Sequence, residues 1–122
     1  MPANSKSKVG SRKWWQRLDE QEVQEAMDEA TVDANGEDEQ HTGLLTVIQD
    51  ELELPFNAEL FGEIVQVTDM QWPEDDHYGL DLVCERNGRQ QAIEARNVEL
   101  VEPLPEGYLY LAAYLDWKRR LC

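Results

Sequence analysis

Between Leu18 and Glu85 the chain contains no lysine or arginine, yet that span holds 21 of its 26 aspartates and glutamates. No other feature limits the fold so strongly. No carboxylate can pair with a lysine or arginine of the span itself. Each acid must therefore stay in water, face a basic residue from elsewhere, or hold a bound cation. The imbalance is sharpened by Lys6, Lys8, Arg12, Lys13 and Arg17, which give the first 18 residues five positive charges and no acid. The whole chain has a formal net charge of −15, and setting those five charges aside leaves −20 on the rest. Such a surface argues against nucleic acid as a partner, because binding a phosphate backbone needs a surplus of Lys and Arg on the binding face.

A chain of 122 residues supports one modest core. We expect a disordered basic arm over residues 1–13 and a single acidic domain over 14–122. No apolar run approaches the roughly 20 residues that cross a bilayer, and the start "MPANSKSKVGSRKWW" lacks the apolar stretch of a secretory signal. Two cysteines, Cys84 and Cys122, make no disulfide framework. The expectation is a cytoplasmic monomer with no membrane partner.

The periodicity predicts an α+β fold with two N-terminal helices, a small antiparallel sheet of three to four strands, and a C-terminal helix. "WWQRLDEQEVQEAMDEATV" places Trp15, Leu18, Val23, Ala26, Met27 and Ala30 near one helical face, from Trp14 onward. Asn35-Gly36 is a turn, and a second helix starts near Glu37 with Leu44, Leu45, Val47, Ile48 and Leu52 as its apolar stripe, stopped by Pro55. "FNAELFGEIVQVTDM" reads as one strand bent at Gly62. Asn87-Gly88 marks a hairpin that sets Glu94 opposite Asp81. "NVELVEPL" supplies a short strand, and "EGYLYLAAYLDWKRRL" closes the chain as a helix with its basic cluster at the C-terminal end.

The segment "DANGEDEQ" concentrates the candidate chemistry. Asp33, Asn35, Glu37, Asp38 and Glu39 are five side-chain oxygen donors within seven residues, with Gly36 to allow a sharp turn. Calcium takes six to eight such oxygens. The segment is not an EF-hand, since counting from Asp33 puts glycine fourth and Leu44 twelfth, where glycine sixth and glutamate twelfth are needed. The same residues also suit a turn followed by acids at a helix N-terminus. Glu74, Asp75 and Asp76 form a second cluster, read either as further ligands or as a solvated loop. Asp50 and Glu53 are spaced to share a cation. His41, His77 and Cys84 lack the spacing of a zinc site. With no Gly-rich phosphate loop and no serine beside a convincing base, the chain is read as a non-enzyme.

In this order, an acidic helix, "VDANGEDEQHTGLLTVIQDELELPFNAELFG", an acidic loop, a hairpin and "YLDWKRR" resemble the small acidic bacterial calcium-binding family typified by the cyanobacterial protein CcbP. The resemblance spans roughly residues 14 to 120. It implies Ca²⁺ as the bound ion, held by surface carboxylates without an EF-hand, buffering of free cytoplasmic calcium, and a link to calcium control of heterocyst differentiation. It makes Asp33, Asp38 and Glu39 the leading ligands. The competing reading is an acidic interaction module that docks, as DNA mimics do, onto a basic protein partner.

Overall fold

The computed structural model describes residues 12–73 and 78–121. The order of elements begins with a 3₁₀ turn at Trp14–Arg17, then helices α1 (Glu20–Ala30) and α2 (Glu37–Glu51). Strands β1 (Phe56–Leu60), β2 (Glu63–Gln71), β3 (Asp81–Arg86), β4 (Arg89–Glu94) and β5 (Glu99–Leu100) follow, and helix α3 (Tyr108–Leu121) ends the chain. The α+β class and the placing of the helices are as the sequence predicts.

Two sequence expectations need correction. The first helical stretch is broken, because Asp19 takes an extended conformation and its carboxylate accepts hydrogen bonds from the N–H groups of Gln21 (2.8 Å) and Glu22 (3.3 Å). A carboxylate cap at that position starts a new helix instead of extending the turn before it. The apolar face still forms, since Trp14, Trp15, Val23, Ala26 and Met27 are all buried.

The second correction is to the sheet, which has five strands in the order β4-β3-β2-β1-β5, all neighbours antiparallel. Phe61-Gly62 is a two-residue hairpin turn and not a bend. Phe61 has φ +53° and Gly62 φ +82°, matching the pair of positive angles at Asn87 (+55°) and Gly88 (+79°). Both pairs have the signature of a type I′ turn, whose twist suits antiparallel strands. At the second hairpin the register is the predicted one, with Asp81 opposite Glu94 and Leu82 opposite Ile93.

A bulge resets the alternation in β2. Val67 pairs with Cys84 and Asp69 with Val83, so Thr68 is the extra residue. Val65, Val67 and Met70 therefore all join the core while Asp69 stays exposed. On the helical side Leu44 and Ile48 of α2 and Leu111 of α3 are fully buried in the same core as Val67, Leu82 and Val98. Cys84 is buried there too, and burial raises its thiol pKa.

Close approach of backbones fixes how α2 sits. A methyl group on Gly43 would meet the Ala30 carbonyl oxygen at 2.5 Å, so α2 can pass the end of α1 only without a side chain there. At the other end, Glu53 N–H donates to the Glu106 carbonyl (2.9 Å) and Glu106 N–H to the Glu53 carboxylate (3.2 Å). Glu53 is thus occupied with the backbone that leads into α3, a role different from sharing a cation with Asp50.

Candidate functional site

The turn before α2 gathers the first acidic cluster. Gly36, with φ +101°, is the N-cap residue, and Glu37, Asp38 and Glu39 fill the first helical turn. Carboxylates are favoured there by the unpaired N–H groups and the helix dipole. Glu39 reaches back, its Oε1 accepting from the Asn35 N–H at 2.7 Å. This closes the turn in the manner of a capping box and holds the "DANGE" backbone in one shape.

Asp33, Asn35, Glu37, Asp38 and Glu39 are all exposed. Asp33 and Glu39 line one shallow hollow of about 330 Å³, whose floor includes Ala30 and Gly43. Asp38 contacts a different residue: its Oδ1 accepts a hydrogen bond from the Tyr78 hydroxyl at 2.6 Å. Among the described residues, no three His, Cys, Asp or Glu side chains converge as a metal would require. The expected ligands Glu74, Asp75 and Asp76 lie outside the described residues. Tyr78 is the residue at which the described chain resumes after them.

Tyr78 is held at both ends. Its hydroxyl is on Asp38, while its carbonyl accepts from the Tyr114 hydroxyl (2.6 Å) and from Lys118 Nζ (3.1 Å), both on α3. Its ring packs edge-on against Trp117 with centroids 5.3 Å apart, and lies 5.0 Å from His41. His41 stacks on Trp117 at 5.9 Å and 23°, and the Trp117 indole N–H donates to the Gln40 side chain at 2.9 Å. The start of α2, the chain after residue 77 and α3 are thereby fastened to one another beside the acids.

Sequence reasoning missed this fastening. Tyr78 stands 40 residues from Asp38, and nothing in local periodicity marks a hydroxyl as the partner of a distant carboxylate. The run "EDDHY" carries a hint, in that a large aromatic directly follows the acids. His41 serves as a packed ring of the cluster.

The Tyr78 hydroxyl is pushed up to about 12, chiefly because its proton is donated to Asp38, with burial and the charges of Asp38 and Glu37 adding. The folded pKa lies above the ordinary phenol value of 10. The stability from this contact is therefore whole below about pH 10 and disappears as pH rises through about 12. In a pH titration followed by its ¹³Cζ resonance, Tyr78 should ionise with a midpoint near 12. Tyr78→Phe should delete that step, and a Tyr78 midpoint near 10 would show that its proton is not given to Asp38.

No protein-family model and no curated relative matches the chain. Two solved structures share its fold. One is the crystal structure of CcbP from Anabaena, with a TM-score of 0.64 and 19% identity over 84% of this chain and 92% of that one. The other is a calcium-binding protein in its calcium-binding form, with a TM-score of 0.57 and 20% identity over 90% of this chain and 95% of that one. The chain thus has the fold of the CcbP structure whose family its sequence resembles.

Proposed function

We propose that this protein binds Ca²⁺ through exposed carboxylates around the start of α2 and acts as a buffer of free cytoplasmic calcium. The observation that carries this reading is the run of exposed carboxylates at one helix start, with Asp33 and Glu39 on one hollow and Asp38 on the Tyr78 hydroxyl, within a span that has no cation of its own. Sharing a fold with a protein described in its calcium-binding form supports it. The donor chemistry fits: all the candidates are oxygens, which suit a hard cation such as Ca²⁺ and suit zinc poorly.

In this reading Asp38 is the central ligand, oriented by the Tyr78 hydroxyl on Oδ1. Asp33, Asn35, Glu37 and Glu39 supply further oxygens from the same turn. Glu74, Asp75 and Asp76 are proposed from the sequence as further ligands. The chain's own residues position oxygens and hold a turn; we assign them no catalytic step. A bound dication would offset mutual repulsion among these carboxylates. Ligands on exposed turns leave room for the irregular geometry that calcium accepts and magnesium resists, so selectivity over Mg²⁺ and micromolar or weaker affinity follow. The same resemblance extends the proposal to calcium control of heterocyst differentiation.

Calorimetric titration with Ca²⁺, in about 0.15 M salt and excess Mg²⁺, tests the site. Asp38→Ala should weaken binding by about tenfold or more, whereas Glu25→Ala, on the exposed face of α1, should leave it unchanged. Equal losses in the two variants would mean diffuse attraction of counterions. Heat that Mg²⁺ abolishes would favour the competing reading, in which the acidic surface docks onto a basic protein.

A further inference from the structure

Four of the chain's 11 basic residues meet at one place. Lys13, Arg96, Lys118 and Arg119 line one cavity of about 290 Å³, between the 3₁₀ turn at the start, the segment after β4 and the last turns of α3. Among the described residues, no aspartate or glutamate lines it. Trp15 and Leu115 form its apolar wall, and the Arg119 guanidinium lies 5.9 Å from the centroid of the Trp15 ring. The Trp15 indole N–H is buried and has no hydrogen-bond partner among the described residues. In a chain with net charge −15, bringing four of 11 basic residues to one hollow costs repulsion among them. Structural pairing relieves only part of it. Arg96 Nε meets Glu94 at 3.1 Å and Arg119 meets Asp116 at 2.8 Å, while Asp116 is shared with Arg120 at 2.6 Å. Lys118 donates to the Tyr78 carbonyl. Even with Glu94 and Asp116 counted, Lys13, Arg96 and Arg119 together keep a cationic excess.

We propose that this cavity is a binding site for a small phosphorylated metabolite, its phosphate held by Lys13, Arg96 and Arg119 and its body lying against Trp15 and Leu115. Three cationic groups around one hollow match the three terminal oxygens of a phosphate monoester better than the two of a carboxylate. Guanidinium forks suit paired hydrogen bonds to phosphoryl oxygens, and an ammonium adds a compact charge. The volume is at the low end for ligand pockets, so the body is no larger than a single ring or short chain. The apolar wall makes a bare inorganic anion the weaker ligand. None of these residues belongs to the acidic turn, so the site stands or falls apart from the calcium reading.

Phenyl phosphate, inorganic phosphate and phenol are suitable probes, titrated by calorimetry in buffer passed over chelating resin so that no divalent ion can bridge phosphate to the acids. Phenyl phosphate should bind saturably in about 0.15 M salt, inorganic phosphate several-fold more weakly, and phenol not measurably. Arg96→Gln should weaken phenyl phosphate by about tenfold. Its side chain is 64% exposed, so the fold should survive, as far-UV circular dichroism would verify. Lys13→Gln is a second, independent variant expected to act in the same direction. Arg89→Gln, on the β3–β4 hairpin, should have no effect. Absence of saturable binding, or equal losses in the Arg96 and Arg89 variants, would overturn the proposal.

Discussion

Gly107→Ala is expected to cost roughly 3–4 kcal/mol, lowering the thermal midpoint by about 10–20 °C. Gly107 has φ +85°, in the left-handed region where alanine is strained by about 1–2 kcal/mol. Its surroundings add a second penalty. A methyl group there would sit 2.6 Å from the Glu51 carbonyl carbon and 2.8 Å from Leu52 Cα, as well as against the Glu51 carbonyl oxygen. All three are backbone atoms, so no side chain can rotate away. Relief requires separating the end of α2 from the start of α3, at a point already joined by the two hydrogen bonds between Glu53 and Glu106. The displaced element would be α3, which carries the buried Leu111, Tyr114 and Trp117.

Gly62→Ala isolates the two contributions. Gly62 has nearly the same angle, φ +82°, but nothing lies within 4 Å of where its methyl would go. Only the backbone strain applies, about 1–2 kcal/mol. Chemical denaturation of the two variants side by side should therefore differ by roughly 2 kcal/mol. Equal midpoints would mean that the strap before α3 does not press on α2 as described.

The same two glycine turns show how far the sequence could be read. Asn87-Gly88 announced its hairpin, and even its register, because both residues accept positive φ and a two-residue turn fixes which residues pair across it. Phe61-Gly62 has the same geometry, yet phenylalanine is a poor candidate for that conformation, and at 91% exposure it has no packing to hold it there. A pattern reading therefore bent one strand where the chain makes two, and counted too few strands. The Thr68 bulge was equally hidden, because the extra residue is defined only by the partner strand. Helix α2 was legible from its Leu-Ile stripe and the glycine turn before it. The break at Asp19 was not, since the apolar spacing continues across it.

The site was half legible for a related reason. A shortage of cations and a run of oxygen donors are properties of composition, and they led to Asp33, Asn35, Glu37, Asp38 and Glu39 as candidates. What each carboxylate does depends on partners far along the chain. Glu39 is turned inward to Asn35, and Asp38 is engaged by Tyr78, so the five donors of one short segment do not act alike. Only folding brings the tyrosine to the acid.

On the calcium-binding function proposed above, Ca²⁺ should raise stability as well as bind. At a free concentration about 100 times the dissociation constant, a ligand specific for the folded state adds about 2.7 kcal/mol. For a domain of this size that corresponds to a rise of about 10 °C in the thermal midpoint. Part of the gain comes from relief of repulsion among Glu37, Asp38 and Glu39, which share one helical turn with no basic residue in their sequence neighbourhood. Screening by monovalent salt relieves some of that repulsion too, so the specific effect is the increment that Ca²⁺ produces in salt already at about 0.15 M. Asp38→Asn is the discriminating variant. It keeps an oxygen for the Tyr78 hydroxyl and so preserves the fastening to α3, but it removes the negative charge a dication needs. Its midpoint without calcium should stay close to that of the parent protein, because the repulsion removed offsets the helix-dipole and charge-assisted hydrogen-bond stabilisation lost. Its calcium-dependent rise should fall to a small fraction of the parent's. Were Mg²⁺ to raise the parent's midpoint equally, or the Asn variant to respond in full, the carboxylates at the start of α2 would be acting as a diffuse acidic surface and not as a site.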